Sequence, residues 1–134
     1  MDPTSELPEY LSIDGEIARY TPTTEVALDT AVEMISRAIE YCREHDIGGL
    51  LVDARELYGF PHPSVVDRYW FIRKWAAAAA GDVVMSFIQR PEMIDKDQIG
   101  ITMASNAGMI VNISDNDADA RSWLLANIRA KTPA

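Results

Sequence analysis

The sequence predicts an α/β domain, a mixed sheet of about five strands packed with about four helices. Three observations predict it. Short apolar runs alternate with amphipathic stretches, the order that builds a largely parallel sheet under crossover helices. Near the start, Asp14-Gly15 separates two short segments of strand character and adds an antiparallel hairpin at one edge. The 134 residues, 48% hydrophobic and 25% charged, also suit one globular domain with a core of its own.

Residues 1–8 are acidic and proline-bearing, without the apolar core of a signal peptide, and read as a flexible lead-in to a domain over 9–130 and a tail over 131–134. Segments 10–13 and 16–21 are the hairpin strands. Thr21-Pro22-Thr23-Thr24 interrupts them, and 26–28 fit either more strand or the start of a helix. Thr30 with Glu33 forms a capping-box pattern. Val32, Ile35, Ile39 and Cys42 then recur at helical spacing, with Leu28 and Ala31 on the same side, to an end near Asp46.

Gly49-Leu50-Leu51-Val52 is a buried strand closed by Asp53, and a Gly59-Phe60-Pro61-His62-Pro63 loop follows. Ser64, three residues before Asp67, caps a second helix over 65–80, with Gly81 as its left-handed stop. The core stripe expected on that helix is Val65, Tyr69, Ile72, Ala76 and Ala79, widened by Phe71 and Trp75. Trp70 falls on the other side, beside Val66 and Lys74. Strand 83–88 is continuous enough in apolar residues to be buried on both faces. A third helix over 96–107 is ended by Gly108, and 109–113 is a further strand. Ser114 with Asp117 opens a last helix carrying Ala120, Leu124 and Ile128.

Composition excludes several functions. A net charge of −9 and a pI near 4.5, with no basic block, argue against nucleic acid and anionic membrane surfaces as partners. No apolar run approaches membrane-spanning length, so no membrane insertion and a cytoplasmic location are expected. The single cysteine, Cys42, excludes an intrachain disulfide and a cysteine-based zinc cluster. With only His45 and His62 as further soft ligands, no metal or cofactor is expected.

Several short stretches share a pattern: Gly49-Leu50-Leu51-Val52-Asp53, Leu57-Tyr58-Gly59-Phe60, Pro63-Ser64 and Asp67-Arg68-Tyr69-Trp70. Arg90-Pro91-Glu92-Met93-Ile94-Asp95 and Asn106-Ala107-Gly108 continue it. With the element order, they resemble the SpoIIAA-like proteins described as STAS/SEC14 domains, over residues 28 to 128. The resemblance implies the fold of anti-sigma-factor antagonists and a non-enzymatic regulatory or protein-interaction role. In such antagonists a serine at the start of the second helix, within Asp-Ser-Ser-Gly or a similar tetrapeptide, is phosphorylated. Ser64 holds that place and is the candidate phosphorylation site, but the flanking Asp, the paired serine and the following Gly are absent from Pro61-His62-Pro63-Ser64-Val65. A helix cap, worth about 1 kcal/mol, accounts for Ser64 without a switch.

The candidate partner or ligand surface is Tyr58, Phe60, His62, Ser64, Trp70, Lys74 and Arg90, meeting a protein partner or a second copy. Two other readings stand beside it. Gly100, Ala104 and Ala107 give the third helix a small-residue face that either packs closely on the sheet or leaves room for an apolar small molecule or lipid. Asp53 and His62, with Arg55 and Glu56 nearby, carry the residue types of a hydrolase-like acid–base site. Cys42 reads as a core thiol, His45 as a helix-end residue, and Arg90 as a partner for Glu92 or for an anionic headgroup.

Overall fold

The computed structural model describes residues 7–94 and 97–131. In chain order the elements are β1 (Leu11–Asp14), β2 (Ile17–Tyr20), β3 (Thr24–Glu25), α1 (Leu28–Glu44), β4 (Gly49–Asp53) and β5 (Leu57–Tyr58). Then come α2 (Val65–Ala79), β6 (Val84–Ile88), a 3-10 turn (Pro91–Met93), α3 (Ile99–Asn106), β7 (Val111–Ser114) and α4 (Asp117–Lys131). Gly15, at φ +62°, turns β1 back on β2 with Leu11 opposite Tyr20. β2, β4, β6 and β7 are parallel neighbours, so the main sheet runs β1-β2-β4-β6-β7.

Strand alternation sorts the core into two layers. Leu50, Val52, Met85 and Phe87 face α1, α2 and α3, meeting Ile35, Ile39, Ile72 and Trp75. Leu51, Val84 and Ile88, with Ile17 of β2, face α4 and pack on Ala120 and Leu124. Every residue of β4 and β6 is buried, because helices cover both faces of the central strands. The α4 layer lies close: a methyl added at Gly49 would overlap the Ile128 side chain and stand 3.2 Å from Ile17 Cγ2.

Several local expectations change. α1 begins at Leu28 behind Ala27, which makes no side-chain cap, so Thr30 is inside the helix. Glu33 pairs instead with Lys74 of α2 and with Arg37. Strand character before this helix falls on Thr24–Glu25, which pairs with Leu57–Tyr58 in a separate two-stranded sheet. On α2 the expected stripe is rotated: Val65 and Tyr69 are 47% and 45% exposed, while Ile72, Trp75, Ala78 and Ala79 are buried. The charged residues of that helix, Asp67, Arg68, Arg73 and Lys74, are spread round the wheel among apolar ones, so its periodicity does not choose a face, and the neighbours of Trp75 do. The left-handed turn at its end starts at Ala80 (φ +50°) and continues through Gly81 (φ +78°).

Helix α3 starts at Ile99, after a left-handed Gln98; residues 95 and 96, where the expected start falls, lie outside the described residues. The cap of α4 is Asn116, not Ser114. Asn116 Oδ1 accepts from the Asp119 backbone N–H at 2.8 Å, and its amide donates to Asp119 Oδ2 at 2.9 Å. Ser114 Oγ donates to the Asn116 carbonyl instead. Of the terminal segments, residues 1–6 and 132–134 lie outside the described residues, and Leu7 packs against the core.

Candidate functional site

The loops after β4 and β6 meet at the carboxyl end of the parallel strands, where α/β sheets present their binding crevices. After β4, Leu57 is buried and β5 pairs with β3, drawing the loop against the start of α1. Gly59 permits this contact. Its φ is +114°, and a Cβ there would run into the Val26 carbonyl and sit 2.9 Å from the Val26 nitrogen. Tyr58 is left 48% exposed and Phe60 is half-buried against the core. Ser64 ends the loop in extended conformation, exposed, with Oγ accepting from the Asp67 backbone N–H at 3.1 Å. It is an N-cap, as its spacing predicts.

Beneath the loops, between the sheet and α1, α2 and α3, lies a largely apolar cavity of about 150 Å³. Val32, Ile35, Ile72, Trp75, Ile101, Ala104 and Phe87 form its walls, and His62, Arg68, Gln89 and Gln98 supply polar groups. One wall is aromatic. Phe71 and Trp75 have ring centroids 4.6 Å apart, and Trp75 lies on Phe87 at 5.4 Å with planes inclined by 23°. The Trp75 indole N–H donates to the Val32 carbonyl at 3.1 Å, so its one polar group is satisfied inside the protein. Of the small residues expected on the third helix, Gly100 and Ala104 line the cavity, while Ala107, the C-cap just after α3, packs against the core.

Asp53 and His62 do not share a cleft. Asp53 has the facing of Leu51, toward α4, whereas His62 lines the cavity on the other side of the sheet. The Asp53 carboxylate accepts from Arg55 Nε at 2.9 Å, from its terminal nitrogen at 2.8 Å and from its backbone N–H at 3.2 Å. Arg19, 3.6 Å away, bridges Asp53 to Asp117 in the first turn of α4. Burial alone would raise this carboxyl, but the hydrogen bonds and charge of Arg55, with Arg19 behind, hold it below the usual carboxylate value. His62 Nδ1 lies 3.1 Å from the Pro63 carbonyl oxygen. Asp53 thus anchors the end of β4 to its own loop and to α4.

The remaining candidates separate. Arg90 pairs with Glu92 at 3.8 Å, its Nε buried and without a hydrogen-bond partner among the described residues. Lys74 is held by Glu33 of α1. Trp70 is 65% exposed and Val66 66%, and with Val65 and Tyr69 they form an apolar patch along α2. Tyr69 stands edge-on to Trp70 at 5.2 Å, under the Arg73 guanidinium at 5.5 Å. The outward face of Trp70 agrees with its place on the helical wheel. Cys42 is fully buried, and burial pushes its thiol up to about 12. His45 stacks on Tyr41 at 3.9 Å, with Nδ1 2.9 Å from the Tyr41 carbonyl oxygen.

Sequence reasoning did not find the aromatic wall. Its available signal was Phe71 and Trp75 four residues apart on one helix, which reads equally well as ordinary core. Among the described residues no group of three or more His, Cys, Asp or Glu could hold a metal ion, and no helix is long and apolar enough to cross a membrane. Compared with family models, curated proteins and solved structures, the chain matches none.

Proposed function

We propose that this protein is a non-enzymatic interaction module of the SpoIIAA-like, anti-sigma-antagonist kind, and that the exposed side of α2 is its contact face. The observation behind this reading is the patch of Val65, Val66, Tyr69 and Trp70, large apolar side chains on a helix whose other side already fills the core. Trp and Tyr beside Arg73 is also the composition of interface hot spots. In this role Ser64 serves as a cap, and contact does not depend on its phosphorylation.

The occupant that fits the face is a second copy. Asp67 and Lys74 lie seven residues apart, two turns on one flank of α2, with Trp70 between them. Antiparallel pairing across a two-fold axis near Trp70 brings each Asp67 beside the partner's Lys74, whose ammonium has donors left beyond the one given to Glu33, giving a self-complementary contact. Light scattering across a concentration series tests it. A dimer that becomes monomeric in Trp70→Glu and weakens in Asp67→Lys supports the reading. A monomer at every concentration, or a dimer indifferent to both changes, overturns it.

The apolar cavity favours a second reading, a binding protein for a small apolar molecule or lipid. Native mass spectrometry of gently purified protein tests it: a bound small molecule supports the reading, and bare polypeptide counts against it.

A further inference from the structure

The cavity behind α2 has a size and a chemistry that narrow what it can hold. Its volume of about 150 Å³ matches apolar cavities that admit a benzene-sized guest, and it is too small for a two-chain lipid. The space exists because short residues line it: Ala31, Ala54, Gly100 and Ala104. A Cβ built on Gly100 meets nothing within 4 Å.

The walls favour a flat guest. Phe71, Trp75 and Phe87 all line the cavity, so a guest ring finds aromatic neighbours to meet in the offset or edge-on arrangements aromatic pairs prefer. The interior offers little to a polar group, since the Trp75 N–H is already committed to the Val32 carbonyl. A buried polar substituent without a partner would cost binding. Gln89, just beyond the end of β6, and Gln98, just before α3, place side-chain amides on the lining, with His62 and Arg68 on the side of the β4–α2 loop. We infer that the cavity binds a monocyclic aromatic molecule with one polar substituent, the ring against Trp75 and Phe87 and the substituent among these polar side chains. This assignment rests on the small-ligand reading of the cavity.

NMR titration of the full chain with p-cresol, and separately with oleate, tests it through the Trp75 indole N–H resonance. The expected result is a saturable shift with p-cresol that persists in Trp70→Ala. Filling the cavity with Ala104→Leu should weaken that binding roughly tenfold or more. Gly100→Leu, at a position with open space around its Cβ, gives the same test if Ala104→Leu does not fold. A Trp75 shift with oleate but not p-cresol overturns the ring assignment and leaves the small-ligand reading standing. No Trp75 shift with either compound overturns both. Equal p-cresol binding in the wild type and the filled variants places the ligand elsewhere and overturns the assignment.

Discussion

The indole N–H of Trp75 donates to the carbonyl oxygen of Val32 across 3.1 Å, tying α2 to α1 beside the cavity. The bond orients α2: with Trp75 turned inward onto Phe87, Val66 and Trp70 are turned outward. Trp75→Phe removes the bond and part of the stack. The expected loss is about 1–3 kcal/mol of stability, from the hydrogen bond and the missing volume together. Urea unfolding reads it directly, and an unchanged midpoint would mean that the bond does not hold the helix.

Gly49 sets how closely α4 approaches the sheet, because any Cβ there meets Ile128. Gly49→Ala is expected to destabilise by about 1–3 kcal/mol through overpacking. The Ile128 side chain is flexible at its far end, so shortening it should relieve part of the clash. Ile128→Ala combined with Gly49→Ala should therefore cost less than the sum of the single changes. Strict additivity in that double-mutant cycle would show that the two positions do not touch.

Asp53 gives stability a dependence on acid. Its carboxyl lies below the usual value in the folded protein, so the unfolded chain binds that proton more tightly. The contribution is present above the unfolded carboxyl value, about 4, and is lost as pH falls through the lower folded value. Asp53→Asn is expected to flatten this acid limb while lowering stability at neutral pH. Urea midpoints measured against pH give the comparison; wild-type and variant curves that stay parallel through the acid range would count against the Arg55 and Arg19 contacts as the source.

Cys42 should be silent toward thiol reagents in the folded state. It is fully buried, with its thiol pushed up to about 12, so almost no thiolate exists at neutral pH. Labelling by iodoacetamide is expected only through unfolding, its rate rising with urea in step with loss of helical signal. Rapid labelling in native buffer would place the thiol at an accessible surface instead.

Much of the fold was legible locally. Asp14-Gly15 between strand segments specifies the hairpin, and Ser64 three residues before Asp67 specifies the cap that the hydrogen bond then makes. The apolar run at β4 announces a buried strand and that at β6 a strand covered on both faces, and both are wholly buried. These signals succeed because each depends on residues only a few positions apart.

Two of the failures depended on distant partners, and a third, the cap of α4, was a choice between two neighbouring candidates. The Thr30 and Glu33 pattern lost to a pairing of Glu33 with Lys74, 41 residues away. Asn116 lay closer than Ser114 to the actual first turn of α4, and the cap went to it. The pairing of Thr24 with Leu57 could not be read from either short segment alone.

The sequence by itself determined an α/β chain with a hairpin at one edge and the order of its helices and main-sheet strands, because periodicity and turn chemistry act over a few residues. Only the tertiary structure decided which side of α2 enters the core, that Asp53 and His62 lie on opposite sides of the sheet, and that a ring-sized space remains beside Trp75 and Phe87. A helix whose charged residues are spread round the wheel has no preferred face of its own; packing against elements far along the chain supplies one, and with it the shape of whatever space is left.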